Sequence, residues 1–139
     1  MKLLVLCTGN SCRSQMAEGF LRAHLRDSDY IISAGLDPQG LNPLAVGVMG
    51  EAGIDISGGT SNHVNDYVDR QFDHVITDCD IAAANCPVFP GGGNRLHWPF
   101  DDPAHATGTD EEVLKKFRRV RDEIKEKITD WMKELRSAG

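Results

Sequence analysis

In the stretch KLLVLCTGNSCRSQMAE, Cys7 is followed after five residues by Arg13 and then at once by Ser14. An apolar run precedes the cysteine and a helical pattern follows the arginine. A thiol, a guanidinium and a hydroxyl therefore share one short strand-to-helix loop, an arrangement that suits a tetrahedral oxyanion. Successive backbone N–H groups can turn inward onto its oxygens, which requires unusual dihedrals, and Gly9 and Asn10 are residue types that tolerate the left-handed region. The helix starting near Arg13 adds its positive end, and the guanidinium can clasp two oxygens at once. That positive field is expected to favour the thiolate of Cys7, ordinarily at about 8.5, and so to make a nucleophile aimed at the anion. Ser14 can donate a hydrogen bond to the sulfur. The anion-binding set is Thr8, Gly9, Asn10, Ser11, Cys12, Arg13 and Ser14, and the side chain of Cys12 is expected to pack. The plainer alternative makes Cys7 a core cysteine and Arg13 a surface charge.

Two further cysteines, Cys79 and Cys86, lie seven positions apart. They can be small core residues, or can join Cys7 and Cys12 as four zinc ligands, although no spacing gives a Cys-x-x-Cys knuckle. In FDDP, Pro103 holds Asp102 in extended backbone and can direct its carboxyl, while an Asp-Pro pair alone is usually a turn. The five histidines, at 24, 63, 74, 97 and 105, show no ligand spacing and are read as surface or satisfied structural residues. Trp98 is read as core. No Walker-type loop, dinucleotide fingerprint or His-Glu-x-x-His motif occurs.

Positioning these groups requires strands that end at one edge. Residues 2–6, 30–34, 73–77 and 95–98 read as four strands, and helices are expected from Ser14, over 43–52 and over about 110–136. Asn42 caps the second helix, Pro43 suits its first turn, and Gly53 suits its exit. Thr109 and Glu112 form a capping box for the last helix, whose stripe runs Val113, Leu114, Phe117, Val120, Ile124, Ile128, Trp131 and Leu135. Short helical turns are expected near 63–70 and within DIAAANCP, and irregular backbone at PGGG, 90–93. The charged run KKFRRVRDEIKEK reads as a solvated face. Strands and helices alternate without repeats or a linker, so residues 1–139 are expected to form a single three-layer α/β domain: a four-stranded, mainly parallel sheet flanked by helices, with the anion loop after the first strand. In such a sheet Cys7 and Cys79 emerge on the carboxyl edge, where ligands bind.

The chain has 139 residues and a formal net charge of -6, which disfavours nucleic acid and anionic membranes as partners. Leu3 to Leu6 is too short for a signal-peptide core or a span, so a cytoplasmic protein with reduced cysteines is expected.

The sequence resembles the low-molecular-weight protein tyrosine phosphatase family, and within it the thioredoxin-coupled arsenate reductases. The resemblance runs through CTGNSCRSQMAEG, SAG at 33–35, LNPLAV, GIDIS, the Cys79/Cys86 pair, HWPFDDPA and RVRDEI. It implies arsenate as substrate, with phosphate or sulfate as analogues. Cys7 attacks arsenic, Arg13 holds the oxyanion, and Asp102, the aspartate directly before the proline, protonates the departing oxygen. Arsenate reduction takes two electrons, which a thiol pair supplies by becoming a disulfide, and a third thiol moves that disulfide off the loop. The resemblance gives these roles to Cys7, Cys79 and Cys86, the last two forming the final disulfide, reduced by thioredoxin.

No tightly bound cofactor and a monomeric state are expected. Family members that bind potassium do so through residues matching Asn10, Glu18 and Ser33, but Asn62 stands where they have an aspartate, which counts against potassium here. Ala104 replaces the tyrosine that usually lines the phosphatase cleft. A weak phosphatase side activity is expected beside arsenate reduction, and the remaining alternatives are a phosphatase of this family with redox-protective cysteines and an oxyanion or redox sensor that needs no Asp102.

Overall fold

The computed structural model describes residues 1–91 and 93–138. Its centre is the strand β1 (Lys2–Cys7), in which every residue after Lys2 is buried. An unbroken apolar run forms a strand here because both faces are covered, as in a parallel sheet between helices. Leu3 and Val5 point into one cluster and Leu4 and Leu6 into another. The sheet order is β2-β1-β3-β4, with β2 at Tyr30–Gly35, β3 at His74–Thr77 and β4 at Asn94–His97. All three pairings are parallel, so the sheet is wholly parallel among the described residues. Register places Cys7 opposite Gly35, and Leu6 opposite Thr77. The three strand ends, and the loops that leave them, therefore share one edge.

On one face lie α1 (Arg13–His24), α2 (Pro43–Glu51) and α4 (Asp110–Ala138). The stripe on α4 buries Phe117, Val120, Ile124, Ile128 and Trp131 against that face, together with Met132, and Trp98 stacks edge-on against Trp131 at 5.2 Å. Burying side chains of this size contributes roughly 1.5–3 kcal/mol each. The other face is thinner, covered by a 3₁₀ turn (Val64–Tyr67), the one-turn helix α3 (Asp80–Ala84) and Phe89. Helix starts follow local chemistry: Asn42 Oδ1 accepts from the Leu44 N–H at 2.8 Å, and Thr109 Oγ1 accepts from the Glu112 N–H at 3.2 Å. The irregular backbone expected at 90–93 includes Gly92, which lies outside the described residues; Gly91 and Gly93 both have positive φ.

The charged face of α4 does more than meet solvent. Arg118 holds both carboxylate oxygens of Glu51 (2.9 and 2.8 Å), and Arg121 reaches Glu51 and the Val48 carbonyl. These contacts tie α4 to the end of α2, a non-local partnership that helical periodicity does not encode.

Candidate active site

The loop from Cys7 to Ser14 turns its carbonyls outward. Those of Cys7, Thr8, Gly9 and Ser11 accept from the N–H groups of Leu36, Asp37, Gln39 and Asn42 at 2.8–3.2 Å, and that of Asn10 accepts from Gln15 Nε2 at 3.1 Å. In a planar trans peptide the N–H lies opposite its carbonyl, so the loop amides face the centre. Asn10 supplies the reversal, with φ +47°, and its N–H points at Cys7 Sγ (2.9 Å). Gly35 of β2 forms the floor: a Cβ there would stand 2.6 Å from the Thr8 carbonyl oxygen. Helix α1 begins beneath the loop with no side-chain cap bond and no acid in its first turn, which leaves its terminal N–H groups for a ligand.

Cys7 is buried, and Ser14 Oγ lies 2.9 Å from its sulfur. Asn10 Nδ2 donates to Ser14 Oγ (2.8 Å), which leaves the Ser14 hydroxyl proton directed at sulfur, and Asn10 Oδ1 accepts from the Asn62 N–H (2.8 Å). A fully buried asparagine thus ties the segment at 60–62 to the nucleophile. Arg13 spans the other wall. Its Nη1 donates to the carbonyls of Phe100 (3.0 Å) and Asp78 (3.4 Å), and its Nη2 lies 3.5 Å from Asp102 Oδ2. Asp102 opens the 3₁₀ turn at Pro103–His105, with its Oδ1 accepting from the Ala104 N–H at 3.0 Å. Asp101 also borders the cleft, but its carboxylate is held by Arg119 (2.8 Å) and Lys116 (3.4 Å) of α4, so Asp102 is the one of the pair set against Arg13. That open cleft, of ≈ 1140 Å³, has the loop as its floor and Leu41, Ile81, Phe100, Asp102 and Ala104 among its walls.

The expected lowering of the Cys7 pKa is overturned. Burial, then the Asp78 charge, pushes the thiol up to about 12, against Ser14, the Asn10 N–H and Arg13, all of which pull it down as the sequence implied. What the sequence did not reveal is how thoroughly the sulfur is enclosed.

The family model described as low molecular weight phosphotyrosine protein phosphatase matches residues 2–138. The chain belongs to that family. Among its curated relatives, an arsenate reductase of Bacillus licheniformis is 55% identical over 123 residues, 88% of each chain. A solved arsenate reductase in a phosphate-binding state superposes with TM-score 0.78 at 33% identity, over 96% of this chain and 97% of that one. Another, in an oxidised state, gives TM-score 0.81 at 31% identity, over 96% and 98%.

Within the family fold, Cys79 lies where β3 ends and caps α3, its sulfur accepting from the Ala82 N–H at 3.4 Å. It lines the same cleft as Cys7, and Thr8 Oγ1 lies 3.4 Å from Cys79 Sγ. Cys86 is half-buried outside the cleft lining, beside the cluster that Cys79 also borders, and burial raises its pKa. All four cysteines are free thiols. Cys12 packs in the main core and borders the cleft with Cys7 and Cys79, but Cys86 lies outside it and no three His, Cys, Asp or Glu among the described residues are grouped to hold a metal ion, so the zinc reading fails on placement.

The potassium residues of the family do not fit a cation here. Glu18 accepts from the Ser33 N–H at 3.0 Å and pairs with Arg22 at 3.5 Å. Asn10 Oδ1 accepts from the Asn62 N–H, and Asn62, standing where the family has an aspartate, presents Nδ2 as a donor to the Ser33 and Thr60 carbonyls, where a cation would want an anionic oxygen. Only Ser33 Oγ is buried without a partner among these groups.

Of the histidines, His63 caps the 3₁₀ turn, His97 bridges Thr77 and Asp80, and His105 stands 3.6 Å from Asp102. His74 departs from the expectation, since its Nδ1 is buried with no partner. The residue missed by the sequence reading is Asp78. The signal for it was present: an acid directly after a strand, at the edge where the loops gather.

Proposed function

We propose that this protein reduces arsenate to arsenite through three thiols, with thioredoxin as the external reductant. The observation that carries the reading is a second thiol, Cys79, facing the oxyanion loop that holds Cys7. Hydrolysis needs one thiolate and one acid; a second thiol in the cleft is what a two-electron reduction adds.

Arsenate seats on the loop amides and the Arg13 fork. The Cys7 thiolate attacks arsenic, and Asp102 delivers a proton to the departing oxygen, which leaves as water. Cys79 then attacks Cys7 Sγ: the sulfur–arsenic bond breaks, its electron pair stays on arsenic, and arsenite departs from a Cys7–Cys79 disulfide. Cys86 attacks Cys79, frees Cys7 and leaves Cys79–Cys86 for the thioredoxin dithiol. Arsenic gains two electrons and the pair of thiols loses two.

The protein acts as a monomer in the cytoplasm, where a reducing environment keeps its cysteines available; no helix among the described residues is long and apolar enough to cross a membrane. No tightly bound cofactor is involved. A weak phosphatase activity accompanies the reductase, because amides and a guanidinium meet phosphate and arsenate alike.

The deciding assay follows NADPH oxidation with thioredoxin, thioredoxin reductase and arsenate, in parallel with aryl phosphate hydrolysis. Cys79→Ser and Cys86→Ser are each expected to abolish arsenate turnover and to spare hydrolysis. Brisk hydrolysis dependent on Cys7 and Asp102, with no arsenate turnover by the native protein, would make it a phosphatase instead.

A further inference from the structure

Asp78 follows β3 directly and is 1% exposed. Its backbone is pinned: the N–H donates to the Leu6 carbonyl at 3.2 Å, and its carbonyl accepts from the Phe100 N–H at 3.3 Å and from Arg13 Nη1 at 3.4 Å. Its side chain has nothing comparable. Both carboxyl oxygens are buried with no hydrogen-bond partner. Arg13 turns Nη1 to two backbone carbonyls and Nη2 towards Asp102, and none of its N–H groups is bonded to the Asp78 carboxyl. A buried carboxylate without donors is among the most costly groups a protein can hold, and it relieves the cost by taking a proton.

The titratable and charged groups around it come from four segments: Cys7 from the end of β1, Arg13 from α1, Asp102 from the loop after β4, and Cys79 next in the chain. Asp78 is the strongest charge partner of Arg13 and the strongest one acting on Cys7. Burial raises its pKa to about 7, with Asp102 adding to the rise and Arg13 opposing it. Its charge therefore changes within the working pH range and is felt by both the nucleophile and the anion clamp.

We propose that Asp78 is the charge-compensating carboxyl of the cradle: it holds a proton whenever Cys7 is a thiolate or an oxyanion fills the loop, and ionises when neither negative charge is present. When Cys7 gives up its proton, an S–H bond breaks with its electron pair left on sulfur, and an O–H bond forms on Asp78. The site's net charge stays constant. Without this exchange, the thiolate would add a further negative charge to a pocket in which Asp78 and Asp102 already share one arginine. Asp78 touches neither reacting atom, so it is a positioning residue acting through Cys7 and Arg13. The inference rests on the loop being an oxyanion cradle, not on arsenate being the substrate.

Its test uses the intact protein and two probes other than arsenate. Iodoacetamide alkylation of Cys7, followed by peptide mass spectrometry between pH 5 and 10, reads the thiolate directly. In the native protein the rate should climb with pH and then break near pH 7, because each further proton leaves Asp78 and disfavours the thiolate. Asp78→Asn removes the break, and above it Cys7 should react about tenfold faster or more, the change that one pKa unit of coupling produces. Asp78→Leu gives the same profile from a different side chain, which guards against a folding defect in either variant. Calorimetry with inorganic phosphate at pH 8, in two buffers of different ionisation heat, should show proton uptake on binding that both variants lose. A native profile without the break, or a break that both variants retain, overturns the proposal whatever the enzyme reduces.

Discussion

Asn10 is the residue at which backbone strain, stability and nucleophile geometry meet, and three substitutions separate them. Asn10→Ala leaves the part-buried Asn62 N–H without its acceptor, about 1–3 kcal/mol, and loses the buried bond to Ser14, about 1 kcal/mol. It also places an ordinary side chain at φ +47°, about 1 kcal/mol more. The expected loss is therefore about 3–5 kcal/mol in urea unfolding. Asn10→Gly keeps the first two losses and removes the third, so it should be about 1 kcal/mol more stable than Asn10→Ala. Asn10→Asp retains the acceptor for Asn62 but turns the Ser14 hydroxyl away from Cys7 and sets a negative charge beside the sulfur. Its stability should fall less, while Cys7 alkylation and turnover should drop by about a hundredfold, the scale of losing preorganised geometry. The reasoning is refuted if Asn10→Ala costs less than about 1 kcal/mol, or if Asn10→Asp leaves Cys7 as reactive as in the native protein.

Three more perturbations follow from the same geometry. Gly35→Ala drives a Cβ to 2.6 Å from the Thr8 carbonyl oxygen and 3.0 Å from the Asn10 nitrogen; phosphate affinity should fall at least tenfold by calorimetry, with a stability loss of about 1–3 kcal/mol. Native Asp78 binds a proton up to about pH 7 where the unfolded chain releases it near 3.8, so stability should decline as pH rises through that window and level above it. Asp78→Asn should flatten the decline, whose ceiling is about 4 kcal/mol for roughly three pKa units, read from urea midpoints at pH 4 to 8. Asp102→Asn should lower turnover about a hundredfold or more, while Asp101→Asn changes it little and loosens the contacts to Arg119 and Lys116. Equal effects on the two aspartates would remove the distinction drawn between them.

What the sequence made legible was what is local. The Cys7 to Ser14 loop carries its function in residue types: an asparagine able to take positive φ, an arginine at the start of a helix, a serine within reach of the sulfur. The stripe on α4 and the caps at Asn42 and Thr109 were equally readable, because each depends on neighbours within a turn or two. The unread features depend on contacts across the chain. Gly35 looks like any strand-end glycine until the Thr8 carbonyl is set against it. Arg118 and Arg121 look like solvent charges until Glu51 lies beside them. The direction of the Cys7 shift depends on enclosure and on Asp78, neither of which a loop motif specifies.

The sheet order distributes stiffness as well as position. β1 is bonded on both sides, to β2 and β3, and the loop that must hold several donors in fixed register grows from it. The segment carrying Cys79 and Cys86 runs between β3 and the four-residue edge strand β4, through a single turn of helix whose cap is the Cys79 thiol itself. Consuming that thiol removes the cap, so the chemistry loosens the one helix that has least to lose. Amide exchange should divide the molecule accordingly, slow through β1 and early α1, and fast over 80–86. The part that recognises charge is built to stay still, and the part that carries electrons outward is hung from the edge, where moving is cheap.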